Sequence, residues 1–132
     1  MILNEPIIIL ANGDFPSHHI PLKKLEEAQS IICLDGAISN LAKNKIEPDL
    51  IIGDLDSIST KYKEKYDKII IHDASQDEND LRKALYWLNQ NNYTKATILG
   101  ATGKREDHSI GNIFSILDMN ISLDAKIITD HG

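Results

Sequence analysis

Pro48-Asp49-Leu50-Ile51-Ile52-Gly53-Asp54-Leu55-Asp56-Ser57 is a short apolar run that closes on two aspartates one residue apart. A continuous run of this length, without polar alternation, predicts a strand covered on both faces, as in a parallel sheet. Side chains alternate along an extended strand, so Asp54 and Asp56 are expected to project to the same side at its end. Two carboxylates held roughly 4 Å apart at an effective dielectric near 20 repel by on the order of 4 kcal/mol. A bound cation removes that cost, and hard oxygen ligands suit Mg²⁺. A turn or a helix cap would need one acid here; the pair points to a metal site.

The same type of run recurs on either side. Strands are predicted at 7–11, 31–34, 50–52, 68–71, 96–99 and 125–129, and helices at 22–28, 37–43, 60–65, 77–89 and 107–117. The fourth helix has the clearest signature: Ser75-Gln76-Asp77-Glu78 has the form of a capping box, and Leu81, Ala84, Leu85 and Leu88 follow at helical spacing. Alternating strands and helices predict an α/β fold, a three-layer αβα domain with right-handed crossovers. Its sheet is expected to be mostly parallel, with about six strands, in a Rossmann-like arrangement. Ligands bind such sheets outside the carboxyl ends of the strands.

Composition narrows the classes. The 132 residues fit one domain, 1–132, and 42% apolar with 26% charged residues is ordinary for a globular protein. A formal charge of −6 argues against nucleic acid or an anionic membrane as partner, since both demand basic patches. Cys33 lies inside an apolar run and reads as a buried structural thiol. The start, Met1-Ile2-Leu3-Asn4-Glu5, lacks the basic segment of a signal peptide, and no run approaches the ~20 apolar residues of a membrane span. A cytoplasmic location is the expectation.

Residues able to do chemistry collect at the predicted carboxyl ends of strands. They are Asn12-Gly13-Asp14, Asp35-Gly36, Gly53-Asp54-Leu55-Asp56-Ser57, then Gln76-Asp77 with Asp80, and Gly100-Ala101-Thr102-Gly103-Lys104-Arg105-Glu106-Asp107-His108. Asn12-Gly13 and Asp35-Gly36 are also common turn sequences, although glycine lets backbone N–H groups approach a nucleotide. Asp80 stands four before Ala84 and eight before Leu88, on the apolar stripe of its helix. It reads either as a partly exposed carboxylate favoured by the helix dipole or as a third ligand of the same cation. Gln76 and Asp77 read as capping residues, or Gln76 as an amide reaching substrate.

The 100–108 segment lacks the spacing of a Walker A loop, yet backbone donors at a helix start with Arg105 beside them suit phosphate. Asp107 falls on the apolar stripe of the following helix, and Asn112 is one turn after His108. His108 reads as structural or as a ligand contact. His18-His19 reads as a solvated loop, and Trp87 as packing. Acids for Mg²⁺ together with a glycine and arginine phosphate loop point to transfer of a phosphoryl or pyrophosphoryl group from a nucleotide.

The order Asp35-Gly36, Gly53-Asp54-Leu55-Asp56-Ser57, Gln76-Asp77-x-x-Asp80-Leu-x-Lys83-Ala84-Leu85, Gly100-x-x-Gly103-x-Arg105-x-Asp107-His108-x-x-x-Asn112 resembles thiamine pyrophosphokinase. The likeness covers essentially the whole chain and corresponds to that family's N-terminal catalytic domain. It implies the reaction ATP + thiamine → AMP + thiamine diphosphate, in which the thiamine hydroxyl attacks the β-phosphorus of Mg-ATP. By the same likeness, Asp54, Asp56 and Asp80 are the acids around Mg²⁺. Gln76 lies near the transferring phosphates or substrate, and Arg105 and Asp107 belong to the nucleotide and phosphate site.

Asn12, Gly13, Asp35 and Gly36 line the nucleotide pocket in that comparison. Ser57, Asp77, Gly100, Gly103, Lys104, His108 and Asn112 complete the ATP-binding set. The sequence departs from the family at Ala37, where a second glycine is frequent, at Asn79 for threonine, and at Lys104 for glycine. The family continues into an all-β thiamine-binding domain and closes its site across a homodimer; that domain is absent from these 132 residues. Three other functions remain open at this point. One is a nucleotide-binding module without catalysis. Another is a pyrophosphokinase acting on a different hydroxymethyl heterocycle such as a pterin. The third is a metal-dependent phosphohydrolase.

Overall fold

A computed structural model describes residues 2–53, 58–72, 80–101 and 123–129. The described strands are β1 (Ile7–Leu10), β2 (Ser30–Leu34), β3 (Leu50–Gly53), β4 (Ile70–His72), β5 (Lys95–Leu99) and β6 (Asp124–Ile127). The described helices are α1 (His19–Glu27), α2 (Ile38–Lys43), α3 (Thr60–Lys65) and α4 (Asp80–Gln90). The six strands form one sheet in the order β4-β3-β2-β1-β5-β6, and every neighbouring pair is parallel. The sequence-based architecture is therefore observed.

Alternation along each strand splits the core in two. Ile7, Ile9, Ile32, Leu34, Leu50 and Ile52 face Leu81, Ala84, Leu85 and Leu88 of α4. Ile8, Leu10, Ile31, Cys33 and Ile51 face Leu25 of α1 and Ile38 and Leu41 of α2. Continuous apolar strands thus supply both faces, and the helices cover them as two outer layers. The chain starts near the middle of the sheet, runs outward to β4, then returns to place β5 on the other side of β1. This reversal, with crossovers of one hand, puts α4 on the face opposite α1 and α2.

Asp49 fixes the entry to β3. Its carboxylate accepts from the Ile31 N–H at 2.8 Å, and its own N–H donates to the Ile31 carbonyl at 2.8 Å. Two boundaries differ clearly from expectation. Helix α1 begins at His19, not 22, because the His18 ring accepts from the Ile20 N–H (3.3 Å) and Pro21 sits in the first turn, where its missing N–H costs nothing. Both histidines are exposed, as expected; His18 is the extended residue that caps the helix, and His19 is already its first residue. Residues 67–69 form a 3-10 turn, so β4 begins at Ile70 and not at 68. The predicted helix 107–117 and the capping box at 75–78 lie outside the described residues.

Trp87 packs as expected, half-buried against Tyr93 with ring centroids 6.0 Å apart. Cys33 is fully buried in β2, and burial, reinforced by the nearby Asp35 charge, pushes its thiol well above the usual range. Since the thiolate is the reactive form, the native protein is expected to leave a thiol reagent unconsumed. The same protein in denaturant should take up one equivalent; rapid native labelling would contradict this burial. Among the described residues no helix is long and apolar enough to cross a membrane.

Candidate functional site

The register of the sheet decides which loop residues meet. Leu34 pairs with Ile52, so Asp35 and Gly53 follow side by side at the carboxyl ends of β2 and β3. Leu10 pairs with both Cys33 and Leu99, so Ala11 and Gly100 lie one step beyond, on β1 and β5. The four ends belong to adjacent strands and together span roughly 14 Å at the usual inter-strand spacing.

The acidic part centres on Gly53. A Cβ built there would stand 3.0 Å from the Asp35 Cβ and 3.3 Å from Asp80 Oδ2. Only hydrogen in place of a side chain permits so close an approach. Two acidic residues carried by different elements, the end of β2 and the first described turn of α4, thereby meet at the strand that runs into Asp54. Asp35 itself adopts φ +41°, the left-handed region that aspartate tolerates better than most residues, and begins the 3-10 turn Asp35–Ala37. Its Oδ1 is buried. The following Ala37 is fully buried at φ −62°, ordinary helical backbone that needs no glycine.

Asp80 divides its two oxygens. Oδ2 is the atom facing Gly53, while Oδ1 lies 3.5 Å from Nζ of Lys83, one turn along α4. Lys83 is 5% exposed, unusual for a lysine, and is the residue that the sequence-based site set did not include. Its signal was available: three positions after an acid and beside the stripe Leu81, Ala84, Leu85. Among the described residues no three His, Cys, Asp or Glu side chains form a metal-holding group. The Asp80 carboxylate oxygen beside Gly53, on the strand end that leads to Asp54 and Asp56, is nevertheless the hard donor that an oxygen-preferring dication such as Mg²⁺ takes.

The second part lies at the topological switch between β1 and β5, where open α/β sheets bind ligands. The Ala11 N–H donates to the Leu99 carbonyl (2.8 Å) and the Gly13 N–H to the Gly100 carbonyl (2.7 Å). These bonds tie the Asn12-Gly13 turn to the start of the 100–108 segment. Gly100 has φ +69°, and a Cβ on it would come within 2.6 Å of the Ala11 carbonyl oxygen. Gly36 is buried and its carbonyl accepts from Ser39 Oγ at 3.0 Å.

Of the expected site residues, the fold places Asn12, Gly13, Asp35, Gly36, Asp80 and Gly100 on one sheet edge. Asp54, Asp56, Ser57, Gln76, Asp77, Gly103, Lys104, Arg105, Asp107, His108 and Asn112 lie outside the described residues.

The comparisons with known proteins agree with this geometry. Residues 22–129 match the description "Thiamin pyrophosphokinase, catalytic domain". The chain is 31% identical over 129 residues to thiamine pyrophosphokinase of Bacillus subtilis, covering 93% of this chain and 59% of that protein. It is 31% identical over 113 residues to thiamine pyrophosphokinase 3 of Oryza sativa, covering 67% of this chain and 42% of that one. The crystal structure of thiamine pyrophosphokinase from Bacillus subtilis superposes with a TM-score of 0.72 at 27% identity, over 92% of this chain and 59% of the other. The chain thus spans about half the length of these relatives. A match over 22–129, carried on a parallel sheet whose acids gather at the expected edge, means that the chain belongs to the thiamin pyrophosphokinase catalytic-domain family.

Proposed function

We propose that this chain supplies the ATP and metal half of a thiamine pyrophosphokinase, transferring pyrophosphate from Mg-ATP to the thiamine hydroxyl. The observation that carries the proposal is the convergence of Asp35 and Asp80 on Gly53, immediately before Asp54 and Asp56. Mg²⁺, when bound, would supply charge neutralisation for the transferred group. The protein's own share is positioning. Asp54, Asp56 and Asp80 hold the cation, and Asp35 and Gly36 border it at the end of β2. The tied Asn12-Gly13 turn and Gly100 present backbone to the nucleotide at the sheet switch.

Arg105 and Lys104 neutralise phosphate, with Gly103 giving room, and Gln76, Asp77, Asp107, Ser57, His108 and Asn112 complete the contacts. In the reaction the thiamine oxygen forms a bond to the β-phosphorus, the bridge between α- and β-phosphates breaks, and AMP leaves. The hydroxyl proton passes to a carboxylate of the cluster, Asp54 or Asp56 in this reading. The cytoplasm as the site of action and a homodimer as the working state of the longer protein belong to the same proposal.

Incubation with ATP, thiamine and Mg²⁺, followed by chromatography of the products, tests it. AMP and thiamine diphosphate in equal amounts are expected. Inorganic phosphate as sole product would reveal a phosphohydrolase, and transfer to 6-hydroxymethylpterin in preference to thiamine would change the acceptor. Bound ATP without any turnover would leave a nucleotide-binding module.

A further inference from the structure

The buried lysine beneath the acidic cluster has a role that the family assignment does not give it. Lys83 stands three residues after Asp80 on α4, with 3% of its side chain exposed against 26% for Asp80, and the two lie 3.5 Å apart. An ordinary helical ion pair keeps both partners in water and contributes little. Here the ammonium is inside the protein, where a cation is retained only with a partner.

The contact is also selective. Nζ meets Oδ1, whereas Oδ2 is the atom that lies beside Gly53. Residues that hold the outer oxygen of a metal-binding carboxylate orient it, and their loss ordinarily lowers metal affinity about 10–100-fold. The helix alone does not set this orientation, since an aspartate side chain near a helix start has several open rotamers.

From this geometry we infer that Lys83 is a positioning residue: its ammonium holds Asp80 Oδ1 so that Oδ2 faces the cation site at the end of β3. The inference rests on the metal reading of that site given above. In this scheme Lys83 acts through Asp80 and not by touching nucleotide or acceptor. Its positive charge also offsets part of the acid cluster's repulsion before the cation arrives.

The test uses Mn²⁺ alone as the probe, read by the loss of its free electron-paramagnetic-resonance signal, on the unaltered chain and on Lys83→Met and Lys83→Gln. Folding is followed in parallel by circular dichroism and melting. The unaltered chain should bind Mn²⁺. Among folded molecules, Lys83→Met should bind about 10-fold or more weakly, and Lys83→Gln should fall between, since its amide still donates a hydrogen bond. Equal or tighter binding by either folded variant would overturn the positioning role while leaving the metal site standing. Absence of Mn²⁺ binding by the unaltered chain would overturn the metal reading itself, and the inference with it.

Discussion

Asp80→Asn should lose Mg²⁺-dependent nucleotide binding by on the order of 100-fold or more, without unfolding. The substitution keeps size and shape but removes the negative charge that lies at Gly53 opposite Asp35. Losing a direct ligand costs more than losing the group that orients it, for which 10–100-fold is typical; 100-fold is about 2.8 kcal/mol. Stability should fall as well, by roughly 1–3 kcal/mol, because the buried Lys83 keeps a carbonyl acceptor but loses its counter-charge. Calorimetric titration of Mg-nucleotide into the variant, beside a melting curve, separates the two effects. Unchanged affinity in a folded Asp80→Asn protein would remove Asp80 from the metal set and leave it as an early-helix carboxylate.

Gly100→Ala carries the second large effect, and it falls on stability. The residue sits at φ +69°, and an added Cβ would approach the Ala11 carbonyl oxygen to 2.6 Å, too close for any real contact. Left-handed backbone costs a non-glycine residue about 1–2 kcal/mol. Relieving the clash must also disturb the bond from the Gly13 N–H to the Gly100 carbonyl. A total of about 2–4 kcal/mol is expected, typical of the larger single-residue effects, with a melting temperature lower by roughly 10 °C. A shift within about 2 °C would show that the switch-point turn re-forms around the methyl group.

The parallel sheet was readable because burial on both faces writes itself as unbroken apolar runs: Ile7 to Leu10 divides alternately between two cores, and so does Leu50 to Ile52. Asp80 was readable for a related reason. An acid placed on an apolar stripe must meet something inside, and it meets the end of β3. Lys83 escaped because lysine is ordinarily taken as solvated, and only the three-dimensional approach of α4 to β2 and β3 buries it. The meeting of Asp35 with Asp80 is equally invisible along the chain. It depends on the register Leu34 to Ile52 and on a left-handed turn at Asp35 that no local pattern announces. Helix α1 began earlier than expected because histidine is seldom an N-cap, although Pro21 marked its first turn.

The most direct test of the acidic edge as a nucleotide site is calorimetry of a non-hydrolysable ATP analogue against the 132-residue chain, with and without Mg²⁺. Binding that requires Mg²⁺, and that is lost in Asp80→Asn, is the expected result. Binding of equal strength without the cation, or none in either condition, would contradict a metal-nucleotide site at the carboxyl ends of β2 and β3.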